Sequence, residues 1–123
     1  MPMVFAGACS HAPGITGRAD RADPDKRDAL YAAFGRMRQA IEDAGAEALV
    51  VIAAEHFANF FMNNMPAFCV GMGETYSGPI EDPGWLGIEP HRVPGVPDLS
   101  QRLIRHMLND VDVAYAEEWK FDH

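Results

Sequence analysis

The chain has 123 residues, is 48% hydrophobic and carries a formal net charge of -8. That length allows one domain, and that apolar content can bury a core, which excludes a disordered chain. With 18 acidic against 10 basic residues, neither nucleic acid nor an anionic membrane is expected as the main partner, since both need a positive face.

The chain opens on Val4-Phe-Ala-Gly-Ala8, a short apolar run with no basic residue before it. A secretory signal wants a charged stretch first and a longer apolar one after, so this run reads as a first buried strand. No segment reaches the roughly 20 apolar residues of a membrane span. Cys9 and Cys69 lie far apart and match no zinc or redox spacing. They are expected reduced and mostly buried, which suits a cytoplasmic protein. Residues 10–23 hold Pro13, Gly14 and Gly17 and read as a loop.

The clearest helix follows. Asp23 can cap it, and Pro24 fits its first turn, where a missing N–H costs nothing. Leu30, Phe34, Met37, Ile41 and Ala44 then recur at spacings of four, three, four and three, the apolar stripe of a helix lying on a sheet. Gly45 is a natural stop. Directly after it, Ala48-Leu-Val-Val-Ile-Ala-Ala54 is uninterrupted and rich in β-branched residues, as in a parallel strand buried on both faces. Strand, helix and strand imply a right-handed βαβ unit and an α/β class.

Residues 67–70 form a plausible further strand. Residues 71–97 contain six glycines and five prolines and read as a long irregular excursion. Asp98 can cap a second helix, with Leu99, Leu103, Ile104 and Met107 inward and Asn109 at its end. Residues 111–116 give a closing strand. No repeat or charge block divides the chain, so residues 1–123 are expected to form a single domain.

Of the five histidines, His11 follows the first expected strand and His56 the second. In an open parallel sheet both strand ends face the edge where ligands bind, and paired imidazoles suit Fe(II), zinc or copper. By placement alone, a lone histidine near a strand end is more often a hydrogen-bonded surface or cap residue than a ligand. His123 follows the last strand and can reach the same rim. His91 and His106 are expected to be solvated. Phe57, Phe60, Phe61 and Phe68 suit an aromatic pocket or ordinary core alike.

Four motifs occur in order: Ser10-His-Ala-Pro-Gly14, Ala54-Glu-His-Phe-Ala-Asn-Phe-Phe61, Met65-Pro-Ala-Phe-Cys-Val-Gly71 and Asp122-His123. Together they resemble the class III extradiol ring-cleavage dioxygenases, the LigB superfamily, over essentially the whole chain. The resemblance implies an α/β domain with a mostly parallel sheet flanked by helices, incomplete relative to the family. It implies a non-haem Fe(II) enzyme that opens a catechol-type ring with O2. By matched position His11 and His56 are two iron ligands. His123 touches substrate and moves protons, and Asp122 supports it. Glu55 stands where the family more often has aspartate. The third ligand, a glutamate, and a second acid/base histidine belong to a remainder beyond His123. The resemblance leans to the dihydroxyphenylpropionate branch over the protocatechuate branch, and a homo-oligomer is expected. The alternative is a truncated, inactive metal-binding or interaction module, and a different reaction on the same scaffold is a third reading.

Overall fold

The computed structural model describes residues 2–118 and residue 120. They fall into two compact units, Met1–Ile52 and Ala53–His123.

In the first unit a short helix, α1 (Gly14–Gly17), and a 3₁₀ turn (Ala19–Arg21) precede the long helix α2 (Pro24–Asp43). The Asp23 carboxylate accepts from the Lys26 N–H at 3.1 Å and Pro24 opens the first turn, as the sequence implies. Gly45 closes the helix at φ 64°, a conformation glycine adopts without strain. Phe34, Met37, Ile41 and Ala44 are half-buried, while Leu30 stays 40% exposed. The Tyr31 hydroxyl donates to the Ile15 carbonyl at 2.7 Å and ties α1 to α2.

The two strands expected beside α2 are not formed. Among the described residues, neither 4–8 nor 48–54 joins a ladder. The first segment does lie against the helix, because a Cβ on Gly7 would stand 3.3 Å from Met37 Sδ. Residues 49–52 are exposed, with Ile52 at 93%. A central parallel strand needs ladder partners at its edges and cover on both faces. An apolar run shows that a segment is built for such cover; it does not supply it.

The second unit carries the sheet. Strand β1 (Cys69–Gly71) pairs in parallel with β4 (Ala114–Ala116), Cys69 opposite Ala114 and Gly71 opposite Ala116. The Ala114 N–H donates to Phe68 at 2.9 Å and the Met72 N–H to Ala116 at 2.7 Å, which lengthens the ladder at both ends. Helix α4 (Pro97–Met107) lies in the connection between these strands and packs against β1. Helices with parallel strands make this an α/β fold, as expected.

Residues 71–97 are ordered, not irregular. They form an antiparallel hairpin of β2 (Thr75–Gly78) and β3 (His91–Pro94), joined through a short helix, α3 (Pro83–Leu86). Asp82 caps α3 by accepting from the Trp85 N–H at 3.1 Å, and Gly87 ends it at φ 75°. The prolines sit where a missing N–H is harmless: Pro83 and Pro97 open helices, and Pro94 ends a strand. Proline density therefore marks boundaries here. A side chain at Gly95 would collide with the Gly73 carbonyl, so the backbones meet there with no room for a Cβ.

Helix α4 begins earlier than the sequence suggests. Val96 is its N-cap and makes no side-chain cap, while Asp98 lies in the first turn. Pro97 takes the first helical position with its φ already set, and Asp98 then opposes the positive helix end. Asn109 closes the helix through Nδ2–H donating to the His106 carbonyl at 3.0 Å.

Among the described residues only Leu86, 1% exposed, and Ile104, 8% exposed, are fully buried apolar side chains. That core is far smaller than the composition suggests. Much of the apolar content, residues 49–52 above all, faces outward.

Candidate functional site

His11 lies in the first unit and His56 in the second. His11 is exposed, in the turn before α1, where the Ala12 N–H donates to Ser10 Oγ at 3.3 Å. A serine hydroxyl bonding two residues ahead is a common way to shape such a turn. Cys9 beside it is exposed, contrary to the expected burial, while Cys69 on β1 is half-buried and its thiol is pushed up by that burial. Both cysteines are free.

His56 is exposed and sits in a turn organised by the residue before it. The Glu55 carboxylate accepts the N–H of Phe57 at 2.6 Å through Oε2, and through Oε1 those of Asn59 at 2.5 Å and Phe60 at 3.4 Å. Partial burial pushes this carboxyl up. The backbone donors, Asn59 first and then Phe57, Phe60 and Ala58, outweigh it and hold the group below its ordinary value. The turn also holds Phe57 at φ 61°, a left-handed conformation that bulky residues adopt only under constraint. Glu55 thus spends its oxygens on the turn.

Asn59 adds a second tie. Its Nδ2–H donates to the Lys120 carbonyl at 3.0 Å, and its Oδ1 accepts the Lys120 N–H at 2.8 Å. Lys120 also bridges in parallel to Ser77 of β2. Lys120 is therefore joined both to the His56 turn and to the hairpin. Asp122 and His123, the other residues implicated by the sequence, lie outside the described residues.

The aromatic side chains after His56 do not form a closed core. Phe57, Phe61 and Phe68 are 50%, 58% and 51% exposed, and Phe60 is half-buried. His91 is exposed on β3 with Nδ1 3.2 Å from the Glu89 carbonyl, so Nδ1 carries the proton if that bond forms. His106 is exposed in the last turn of α4, where a cation is favoured. An open depression along α4 is lined by Asp98, Gln101, Arg102 and Arg105 and includes none of the histidines.

The imidazoles of His11 and His56 have the right chemistry for Fe(II). Among the described residues, however, no three His, Cys, Asp or Glu side chains gather to hold a metal. Those residues alone do not make up a metal site. No helix among them is long and apolar enough to cross a membrane.

Asn59 and Lys120 are the pair that sequence reading did not single out. Asn59 falls within the quoted His56 motif, which was a usable signal. Lys120 had none, because only its backbone takes part.

Comparison with known proteins points one way. The chain is 32% identical over 116 residues to a 2,3-dihydroxyphenylpropionate/2,3-dihydroxicinnamic acid 1,2-dioxygenase of Dechloromonas aromatica, covering 93% of this chain and 34% of that protein. Dioxygenases of the same name from a Rhodococcus species and from Rhodococcus jostii are 29% and 30% identical, each across 100% of this chain and 37% of theirs. The chain thus spans about a third of the length of the curated relatives it matches. No family model matches it, and no solved structure does. By sequence, then, the chain is a relative of the extradiol ring-cleavage dioxygenases of the dihydroxyphenylpropionate type.

Proposed function

We propose that this chain belongs to a non-haem Fe(II)-dependent extradiol dioxygenase that opens a catechol-type ring with O2 in the degradation of aromatic compounds. The observation that carries the proposal is the match, along nearly the whole chain, to proteins named as dioxygenases of dihydroxylated phenylpropionate. The turn that presents His56 adds support, since Glu55 and its backbone donors hold that histidine's neighbours in one conformation.

In this reading His11 and His56 supply two imidazole ligands, and a carboxylate from outside this chain supplies the third. Fe(II) held by these residues would supply Lewis-acid stabilisation of the negative charge that develops on the substrate oxygens. His123 holds and moves a proton at the substrate hydroxyl, a role suited to an imidazole because its pKa lies near working pH. Asp122 orients that imidazole. The exposed Phe57 and Phe61 present ring faces to the flat substrate. The working protein is cytoplasmic and assembles as a homo-oligomer.

The second reading is a truncated, inactive metal-binding or interaction module of the same family. Iron retention separates the two. The Fe(II)-loaded full-length protein is expected to keep its iron through gel filtration, and its His11→Ala and His56→Ala variants are each expected to lose it. Normal iron content in either variant removes that histidine from the ligand set. Failure of the unsubstituted protein to retain iron favours the second reading.

A further inference from the structure

Glu55 is half-buried and His56, the next residue, is exposed. The Glu55 carboxylate reaches forward past the histidine to three backbone N–H groups, those of Phe57 at 2.6 Å, Asn59 at 2.5 Å and Phe60 at 3.4 Å. The Phe57 conformation, φ 61°, is one that a bulky residue keeps only when it is held. The turn is anchored as well as closed. The Asn59 carboxamide clamps the N–H and the carbonyl of Lys120, at 2.8 and 3.0 Å, and Lys120 bridges to Ser77 of β2. Backbone torsions at a residue set the direction of its Cα–Cβ bond and the rotamers open to it. Closing the turn therefore fixes where the His56 side chain leaves the chain.

We propose that Glu55 is a positioning residue that holds this turn shut before a metal arrives, so that His56 is presented as a ligand without reordering its backbone. This rests on the dioxygenase reading above, which makes His56 an iron ligand. A ligand on a loose turn loses backbone freedom when it binds, and that cost comes off the affinity. A ligand on a closed turn has lost it already on folding. Glutamate suits the task by its length. An aspartate here, one methylene shorter, accepts from the residue two ahead. It falls short of the N–H groups four and five ahead that Glu55 Oε1 takes.

The test titrates full-length protein with Co(II), whose visible bands report the geometry of its ligands. The unsubstituted protein is compared with Glu55→Gln, Glu55→Asp and His56→Ala, and hydrogen exchange at the Phe57 and Asn59 amides is read on the same proteins without metal. Glu55→Gln is expected to exchange faster at both amides and to bind Co(II) about tenfold more weakly, with altered bands, as when a group that orients a ligand is removed. Glu55→Asp keeps the charge. It should stay protected at Phe57, lose protection at Asn59 and bind Co(II) with intermediate affinity, and it carries the test if the Gln variant does not fold. Faster exchange with unchanged Co(II) affinity and bands overturns the positioning role. Weaker binding in Glu55→Gln with exchange unchanged, or full binding in Glu55→Asp with Asn59 unprotected, also overturns it, since the carboxylate would then act through its charge alone. In each of these cases His56→Ala still binds Co(II) more weakly, and the dioxygenase reading stands. Undiminished binding by His56→Ala removes His56 from the ligand set, and this inference with it.

Discussion

Glu55 and Phe57 flank His56 and are joined across it, the Phe57 N–H donating to Glu55 Oε2 at 2.6 Å. The bond closes a tight turn whose cost is visible at Phe57, held at φ 61°. Strain of that kind, of order 1–3 kcal/mol, persists only when surrounding contacts over-determine the conformation. The remaining contacts come from the other oxygen of the same carboxylate, which takes the Asn59 and Phe60 N–H groups.

Glu55→Gln should therefore loosen the turn. A carboxamide has one accepting oxygen where the carboxylate has two, and its NH2 faces N–H groups it cannot pair with. Because the turn is partly exposed, the expected loss is at the low end for charge-assisted bonds, about 1 kcal/mol. Hydrogen exchange at the Phe57 and Asn59 amides measures it. Unchanged protection at both would show that the carboxylate does not hold the turn.

Leu86 is the most deeply buried side chain among the described residues. Leu86→Ala is expected to cost about 2–4 kcal/mol, the range for a buried leucine that leaves a cavity. The loss should appear as a lower urea midpoint. A shift corresponding to less than about 1 kcal/mol would mean that the site collapses around the smaller side chain or is not a core.

The two thiols should separate in alkylation. Cys9 is exposed, whereas Cys69 is half-buried on β1 with its pKa raised by burial. A raised pKa leaves less thiolate at a given pH, and thiolate is the reactive form. Iodoacetamide at mildly alkaline pH should label Cys9 first. Cys69 should follow only at higher pH or on unfolding, as read by peptide mass. Equal rates would contradict the burial of Cys69.

Residues 49–52 are exposed and apolar, Ile52 at 93%. Such a segment invites pairing with another chain. The 123-residue chain should self-associate as concentration rises in sedimentation velocity, and Ile52→Lys should reduce this without lowering the urea midpoint. Identical association by both proteins would place the contact elsewhere.

How much was readable in advance depended on whether the deciding signal was local. The Asp23 cap and Pro24 sit next to the helix they start, so the start of α2 is legible to the residue. So were the cores of β1 and β4, though not their lengths. The runs at 4–8 and 48–54 read as strands yet join no ladder among the described residues, because a ladder depends on neighbours that an apolar run does not reveal. The hairpin in 71–97 was hidden by prolines that mark its boundaries. At the candidate site, the histidines were conspicuous by residue type. The Asn59–Lys120 clamp was not, since half of it is backbone.

The central claim is ring opening, and oxygen uptake tests it most directly. Fe(II)-loaded full-length protein is mixed anaerobically with 2,3-dihydroxyphenylpropionate, and O2 consumption and absorbance are followed on admitting air. The account predicts one O2 consumed per substrate and a yellow ring-opened product, both abolished in His56→Ala. Retained iron with no O2 uptake from this or any related catechol would contradict it.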